Sequence, residues 1–566
     1  MILTLRVCAP LARRQRYARP MKLPRNDRSC RHLSRCNAVA HAASVGLLAL
    51  LHAGCSDAQP APVAAPTEVM TTHGPVVGTA GDGFVGFLGI PYAAPPTGPL
   101  RFAPPSAPTA WTAPLATTQR PRACPQVVPI LGAQTEEDCL FVNVHVPAEV
   151  PARGAPVLVW IHGGGFTLGE GVQTDGGTVG DILAREERVV AVSMNYRLGA
   201  LGFLAHPALS SESADGVSGN YGFLDQVFAL EWVRDNIRAF GGDPTRVTIA
   251  GQSAGGISVC AHLVSPRSQG LFHGAIVESG PCEDAMTLAN GVTQGERFAA
   301  ALPTPCDSGT DSEVRACLRA ASAADILATL PGSRDFLTRT EDTAFWGPVV
   351  DGEILPRAYG AAFRAGDVPD VPVLVGFTEN EGRVFAALSD VVIAPDDYEA
   401  ALAELVGGPG ADADTVIAAY PLNGEDPTAR YFDAIGDQLL TCSARSSAIA
   451  LGSQVEMYEY YFRYPNAAFQ LPTAFPLGAY HAAEVQFVFG YRANPFVRRF
   501  NEEEQQMHEI IRGYWGGFVR DGRPSAPGLP QWPKYNAADD NHLVLDLTVE
   551  TGTGAAAARC AVWDAL

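Results

Sequence analysis

Short apolar runs, each followed by a longer amphipathic stretch, constrain this 566-residue chain more than any other feature. Val157-Leu-Val-Trp-Ile161 and Val189-Val-Ala-Val-Ser193 lack the polar alternation of a half-exposed strand, as expected where both faces are covered. Val247–Ala250, Gly274–Glu278 and Val371–Phe377 repeat the pattern. Within Phe223–Phe240, the residues Phe223, Val227, Leu230, Val233 and Ile237 fall at spacings of three and four, one stripe of a helix, before Gly241-Gly-Asp-Pro stops it. Strands alternating with helices predict an α/β fold, with a mostly parallel central sheet and helices on both faces. Residues 284–345 and 390–470 are richer in Ala, Leu and acids and read as helical insertions. From Thr67 onward no linker, repeat or low-complexity stretch interrupts the chain, so residues 67–566 form one expected domain.

One turn in this framework carries chemistry. After the Val247–Ala250 strand comes Gly251-Gln-Ser253-Ala-Gly255-Gly256, then the apolar helix Ile257–Val264. Glycines two residues either side of a serine permit a turn too sharp for side chains, which pushes the hydroxyl out above the sheet at a helix start. Ser253 is therefore the candidate nucleophile. His162-Gly163-Gly164-Gly165-Phe166 follows the strand ending at Ile161. Successive glycines let backbone N–H groups approach a ligand, and Gly164 and Gly165 with Ala254 are the candidate oxyanion donors. A phosphate-cradling loop is excluded, because neither glycine pattern for phosphate is present.

The N-terminus reads as an address. Residues 1–36 hold ten basic residues and one acid, leaving 30 basic against 59 acidic residues in the remainder, a net of −29. A body that acidic excludes nucleic acid and anionic membrane surfaces as partners. The apolar run Ala42–Leu51 is shorter than the ~20 residues that span a bilayer and has the form of a signal-peptide core. Residues 1–55 are thus expected to be a leader, with Met21 an alternative start. His-Ala-Gly-Cys55 resembles a bacterial lipobox that would put a lipid on Cys55, cleavage near Ala53 being the alternative. Export to the periplasm, the outer membrane as a lipoprotein, or the exterior is expected, with residues 56–66 a Pro/Ala-rich tether. The eight cysteines beyond Cys55 form no C-x-x-C pair, so disulfides rather than a metal site are expected.

From Gly74-Pro-Val-Val-Gly78 to its end, the chain resembles the type-B carboxylesterases, a family of α/β-hydrolases that includes cholinesterases, para-nitrobenzyl esterases and neuroligins. The resemblance rests on Phe87–Pro96, Leu100-Arg-Phe102, Glu137–Val144 and Gly219–Gln226, together with the two glycine motifs. It implies the α/β-hydrolase fold and a Ser-His-Glu serine esterase acting on small-molecule carboxylic esters through an acyl-enzyme, without a metal or organic cofactor. The family's acid maps to Glu381 in Thr378-Glu-Asn-Glu381-Gly382, with Glu379 a solvated decoy. Its histidine maps to His481 in Gly478-Ala-Tyr-His481-Ala-Ala-Glu484. His508 and His542, the other histidines after Glu381, are expected at the surface. The resemblance also implies the disulfides Cys124–Cys139, Cys306–Cys317 and Cys442–Cys560. Cys260 and Cys282 are left as free buried thiols or a fourth bridge. Phe166, Gln252, Trp346 and Phe385 are pocket candidates, the three aromatics reading equally as core. The Cys124–Cys139 loop has no aromatic residue, and Gln252 stands where cholinesterases place a glutamate, which argues against choline esters. A silent neuroligin-like binding module and a lactone or carbamate hydrolase are the alternative readings.

Overall fold

The computed structural model describes residues 61–127, 134–172, 180–332, 344–468, 471, 473–490 and 498–566. The leader at 1–55 lies outside these residues, as do residues 56–60 of the expected tether. The sheet pairing includes residues before Thr67: Val63–Ala64, read in the sequence as tether, pair with Glu149–Val150 as a short antiparallel ladder.

The centre is an eleven-stranded sheet. In chain order its strands are β1 (Thr79–Ala80), β2 (Phe84–Pro91), β3 (Phe141–Pro147), β4 (Ala155–Ile161), β5 (Val190–Met194), β6 (Gly242–Gln252), β7 (Gly274–Glu278), β8 (Val373–Thr378), β9 (Met457–Phe462), β10 (Asn541–Leu545) and β11 (Glu550–Thr553). Their spatial order is β11-β10-β9-β8-β7-β6-β4-β5-β3-β2-β1. The block from β5 through β10 is parallel. Antiparallel strands flank it: β3, β2 and β1 on one side and β11 on the other.

Every residue of β4 is buried, which accounts for its unbroken apolar run: the pleat sends alternate side chains into two separate cores. Val157, Val159 and Ile161 join Phe223, Val227, Leu230 and Val233 from helix α1 (Tyr221–Asn236) and Val259 from helix α2 (Ala254–Val264). Leu158 and Trp160 join Trp515 and Phe518 from helix α3 (Glu502–Asp521) on the other face. Two covered faces make this the α/β-hydrolase arrangement expected.

Residues 284–345 hold helices at Leu288–Ala301, Asp311–Ala320 and Ala323–Ala328. The second expected insertion needs correction. Residues 390–470 include helices such as Pro427–Gly436 and Cys442–Gly452, but also β9, a central strand. Its sequence, Met457-Tyr-Glu-Tyr-Tyr-Phe462, carries a buried glutamate and three tyrosines, so no apolar run marks it.

Among the described residues there are four disulfides: Cys124–Cys139, Cys260–Cys282, Cys306–Cys317 and Cys442–Cys560. The second of these resolves the alternatives for Cys260 and Cys282 in favour of a bridge, which joins α2 to the loop after β7. Four bridges are the chemistry of a chain that matures in an oxidising compartment. No helix among the described residues is long and apolar enough to cross a membrane.

Candidate active site

Ser253 sits between β6 and α2 at φ 59°, ψ −122°, a conformation that L-residues rarely adopt. The turn closes because Gly251 and Gly255 touch backbone to backbone. A Cβ at Gly251 would overlap the Gly255 carbonyl group, and one at Gly255 would strike the Ile161 carbonyl oxygen. The Ser253 N–H donates to the Glu278 carbonyl of β7 at 2.9 Å, which ties the turn to its neighbouring strand.

The glycine loop after β4 lies against this turn: a Cβ at Gly163 would stand 3.2 Å from that of Ser253. Gly164 and Gly165 both have positive φ, at 109° and 58°. Their N–H groups donate to no acceptor among the described residues. The N–H of Ala254, first residue of α2, is one of the orphan donors that every helix start leaves. Among the described residues these three amides are thus unpaired, and the loop that carries two of them packs against the Ser253 turn at Gly163.

Glu381 and His481 come from separate loops, after β8 and after β9, and meet in a buried pair. His481 Nδ1 donates to Glu381 Oε2 at 2.5 Å, and Glu381 Oε1 accepts the Thr378 N–H at 2.7 Å. With its proton on Nδ1, the imidazole presents a lone pair at Nε2. Gln252 Nε2 donates to that lone pair at 3.0 Å, so the residue before Ser253 rather than the Ser253 hydroxyl holds it. Phe385 packs on the imidazole, with ring centroids 5.0 Å apart. The other two aromatic candidates lie in the core: Phe166 against Phe203, and Trp346 against Phe298. Glu379 faces Arg463 at 3.5 Å near the surface.

The expected surface positions of His508 and His542 need correction, since both are buried. His508 Nδ1 donates to the Phe487 carbonyl at 2.9 Å, so it fixes α3 to its neighbour rather than facing solvent. His542 lies on β10 with its ring edge-on to Tyr461.

Behind the histidine lies a carboxylate pair that only Glu484 in the His481 motif signals in the sequence. Trp515 Nε1 donates to Glu278 Oε1 at 2.7 Å, and Tyr460 OH to Glu484 Oε1 at 3.1 Å. Each carboxylate keeps one buried oxygen without a partner. Burial, then the charge of Glu381, pushes the Glu484 carboxyl up to about 7; burial, then the charge of Glu484, also raises Glu278 well above the usual carboxylate range. Among the described residues no group of three or more His, Cys, Asp or Glu side chains is arranged to hold a metal ion.

A half-buried, strained serine near a buried carboxylate–imidazole pair and free amides has the parts for acyl transfer. Comparison with known proteins agrees with that chemistry. A sequence model of the carboxylesterase family matches residues 65–563. The mouse (Mus musculus) acylcarnitine hydrolase is 34% identical over 503 residues, covering 84% of this chain and 86% of that protein. The human (Homo sapiens) cocaine esterase is 33% identical over 575 residues, covering 94% and 96%. A solved PNB esterase superposes with a TM-score of 0.73 at 33% identity, over 88% of this chain and 99% of that one.

Proposed function

Because this chain belongs to the carboxylesterase family and is a carboxylic ester hydrolase, we propose that Ser253, His481 and Glu381 are its catalytic triad. The observation that carries this reading is the buried His481–Glu381 pair, which leaves the Nε2 lone pair directed to the side of the nucleophile turn.

As an ester enters, the Ser253 hydroxyl replaces the Gln252 carboxamide at Nε2. Catalytic hydrogen bonds often tighten only with substrate bound. Ser253 Oγ attacks the carbonyl carbon while His481 takes its proton, and Glu381 stabilises the resulting imidazolium. The amides of Gly164, Gly165 and Ala254 hold the oxygen that gains charge, each donor being typically worth about 10²–10³ in rate. The tetrahedral adduct expels the alcohol, which takes the proton from Nε2 and leaves an acyl group on Ser253. Water then repeats the sequence, gives up its proton to His481 and releases the acid.

Relatives named for acylcarnitine, cocaine and pyrethroid hydrolysis support a small-molecule carboxylic ester as substrate. Gln252 in place of a carboxylate argues against choline esters. A lipid at Cys55 would hold the enzyme at a membrane through the residues that follow, and a mature N-terminus carrying a diacylglyceryl mass would establish it. The triad is tested by Ser253→Ala, which should lower turnover of p-nitrophenyl esters from acetate to octanoate on the order of 10⁶-fold. Near-native turnover would overturn it.

A further inference from the structure

The imidazole of His162, at the head of the glycine loop, has no place in the scheme above, yet its environment is unusual. It is buried, and its Nε2 has no hydrogen-bond partner. Burial holds it neutral by lowering its pKa to about 4. An orphaned polar atom in a core is a cost that an apolar ring of similar shape would avoid.

The other nitrogen explains the histidine. His162 Nδ1 donates to the Gly163 carbonyl oxygen at 2.8 Å. That carbonyl and the Gly164 N–H belong to one trans peptide plane, in which C=O and N–H point in opposite directions. Holding the carbonyl on one side therefore fixes the amide on the other.

The surroundings maintain this bond. The ring stacks on Tyr196, with centroids 4.3 Å apart and planes 17° from parallel, and Tyr196 OH donates to the His162 carbonyl at 2.8 Å. Gly169, at φ 120°, has no room for a side chain, since a Cβ there would overlap His162 Nδ1 and approach the Gly163 carbonyl. Gln126 clamps Gly169 by donating to its carbonyl at 3.0 Å and accepting from its N–H at 3.1 Å.

We propose that His162 is a positioning residue for the oxyanion hole, its Nδ1–H setting the direction of the Gly164 amide, with Gly169 and Gln126 keeping space for that bond. This rests on the assignment of Gly164 to the oxyanion hole. Two substitutions give opposite orders for a structural and a positioning role. Phe keeps the stack on Tyr196 and removes the orphaned nitrogen, but has no donor. Asn loses the stack but places a carboxamide nitrogen where Nδ1 stood.

The test uses the full-length enzyme with His162→Phe, His162→Asn and Gly169→Ala. Each is measured for kcat and KM on p-nitrophenyl acetate and for inhibition by an aryl trifluoromethyl ketone, whose hemiketal carries the oxyanion. His162→Phe should unfold no more readily than the native enzyme, yet lose about 10²-fold in kcat with KM changed less than about threefold, and bind the ketone more weakly by a similar factor. His162→Asn should recover at least about tenfold of that loss, and Gly169→Ala should resemble His162→Phe. A His162→Phe enzyme with native kcat and ketone affinity, or more active than His162→Asn, would overturn the proposal and leave the triad standing. If the unmodified enzyme itself resists the ketone, the oxyanion-hole assignment fails and this inference falls with it.

Discussion

Replacing Glu381 by Gln tests the site at the point where its geometry is most specific. The two carboxylate oxygens have different jobs. Oε1 accepts the Thr378 N–H, a backbone donor that cannot reverse, and Oε2 accepts His481 Nδ1–H. A glutamine has one oxygen, which the backbone donor claims, so its NH₂ must face the ring. His481 can then avoid a clash of donors only by moving its proton from Nδ1 to Nε2, which removes the lone pair the serine needs. Charge is lost as well. A carboxylate and an imidazolium about 4 Å apart at an effective dielectric of about 20 attract by about 4 kcal/mol, or about 10³ in rate. With the wrong tautomer added, kcat should fall about 10⁴-fold with little change in KM. The volume is unchanged and every backbone bond survives, so thermal unfolding should stay close to native. Stopped-flow hydrolysis of p-nitrophenyl butyrate and the rate of phosphonylation by a fluorophosphonate should fall together. A loss of less than tenfold would refute the reasoning and transfer the orienting role to another carboxylate, Glu484 being the nearest choice.

Three further expectations concern other parts of the molecule. Gln252→Glu would set a carboxylate against Nε2 and favour the charged imidazole, so the acidic limb of kcat/KM should move up by about one pH unit or more, a profile unchanged within error being contrary. Glu459, buried on β9 with both oxygens unpartnered, is pushed up to about 8 by burial and by Asp540, against the pull of Arg445. The folded protein therefore keeps a proton that the unfolded chain releases near 4.5, and stability falls as pH rises from there through about 8. Glu459→Gln should match the native enzyme at pH 5 and gain on it in thermal midpoint by pH 9; an equal pH dependence would contradict this. Opening the 118-residue Cys442–Cys560 loop with two alanines should cost about 4–5 kcal/mol in the chain-entropy treatment, read from denaturant unfolding, an unchanged midpoint being contrary.

Where residues announce their environment in one dimension, the sequence was a good guide. β4 and β5 are covered on both faces, so apolar runs revealed them, and the spacing of Phe223 through Ile237 revealed α1. The serine turn was legible because only glycine fits at 251 and 255. Legibility ended where a side chain's partner is remote in the chain. β9 reads in the sequence as part of an insertion because its tyrosines and Glu459 are satisfied or enclosed by later segments. Trp532 reaches its backbone and Tyr460 reaches Glu484. His508 has a carbonyl 21 residues away as its partner, and nothing in its own helix marks it as buried. The contact between Gln252 and His481 spans 229 residues and could not be read from either motif. Phe166 follows the glycine loop, a position that reads as pocket lining, but its ring turns into the core against Phe203.

The central claim is that one hydroxyl performs the attack. Treating the enzyme with a fluorophosphonate, digesting it and locating the adduct by mass spectrometry tests that claim most directly. A single phosphonyl group on Ser253, formed in step with the loss of esterase activity and absent from Ser253→Ala, is the predicted result. An adduct on a different residue, or complete inactivation with Ser253 unmodified, would contradict it.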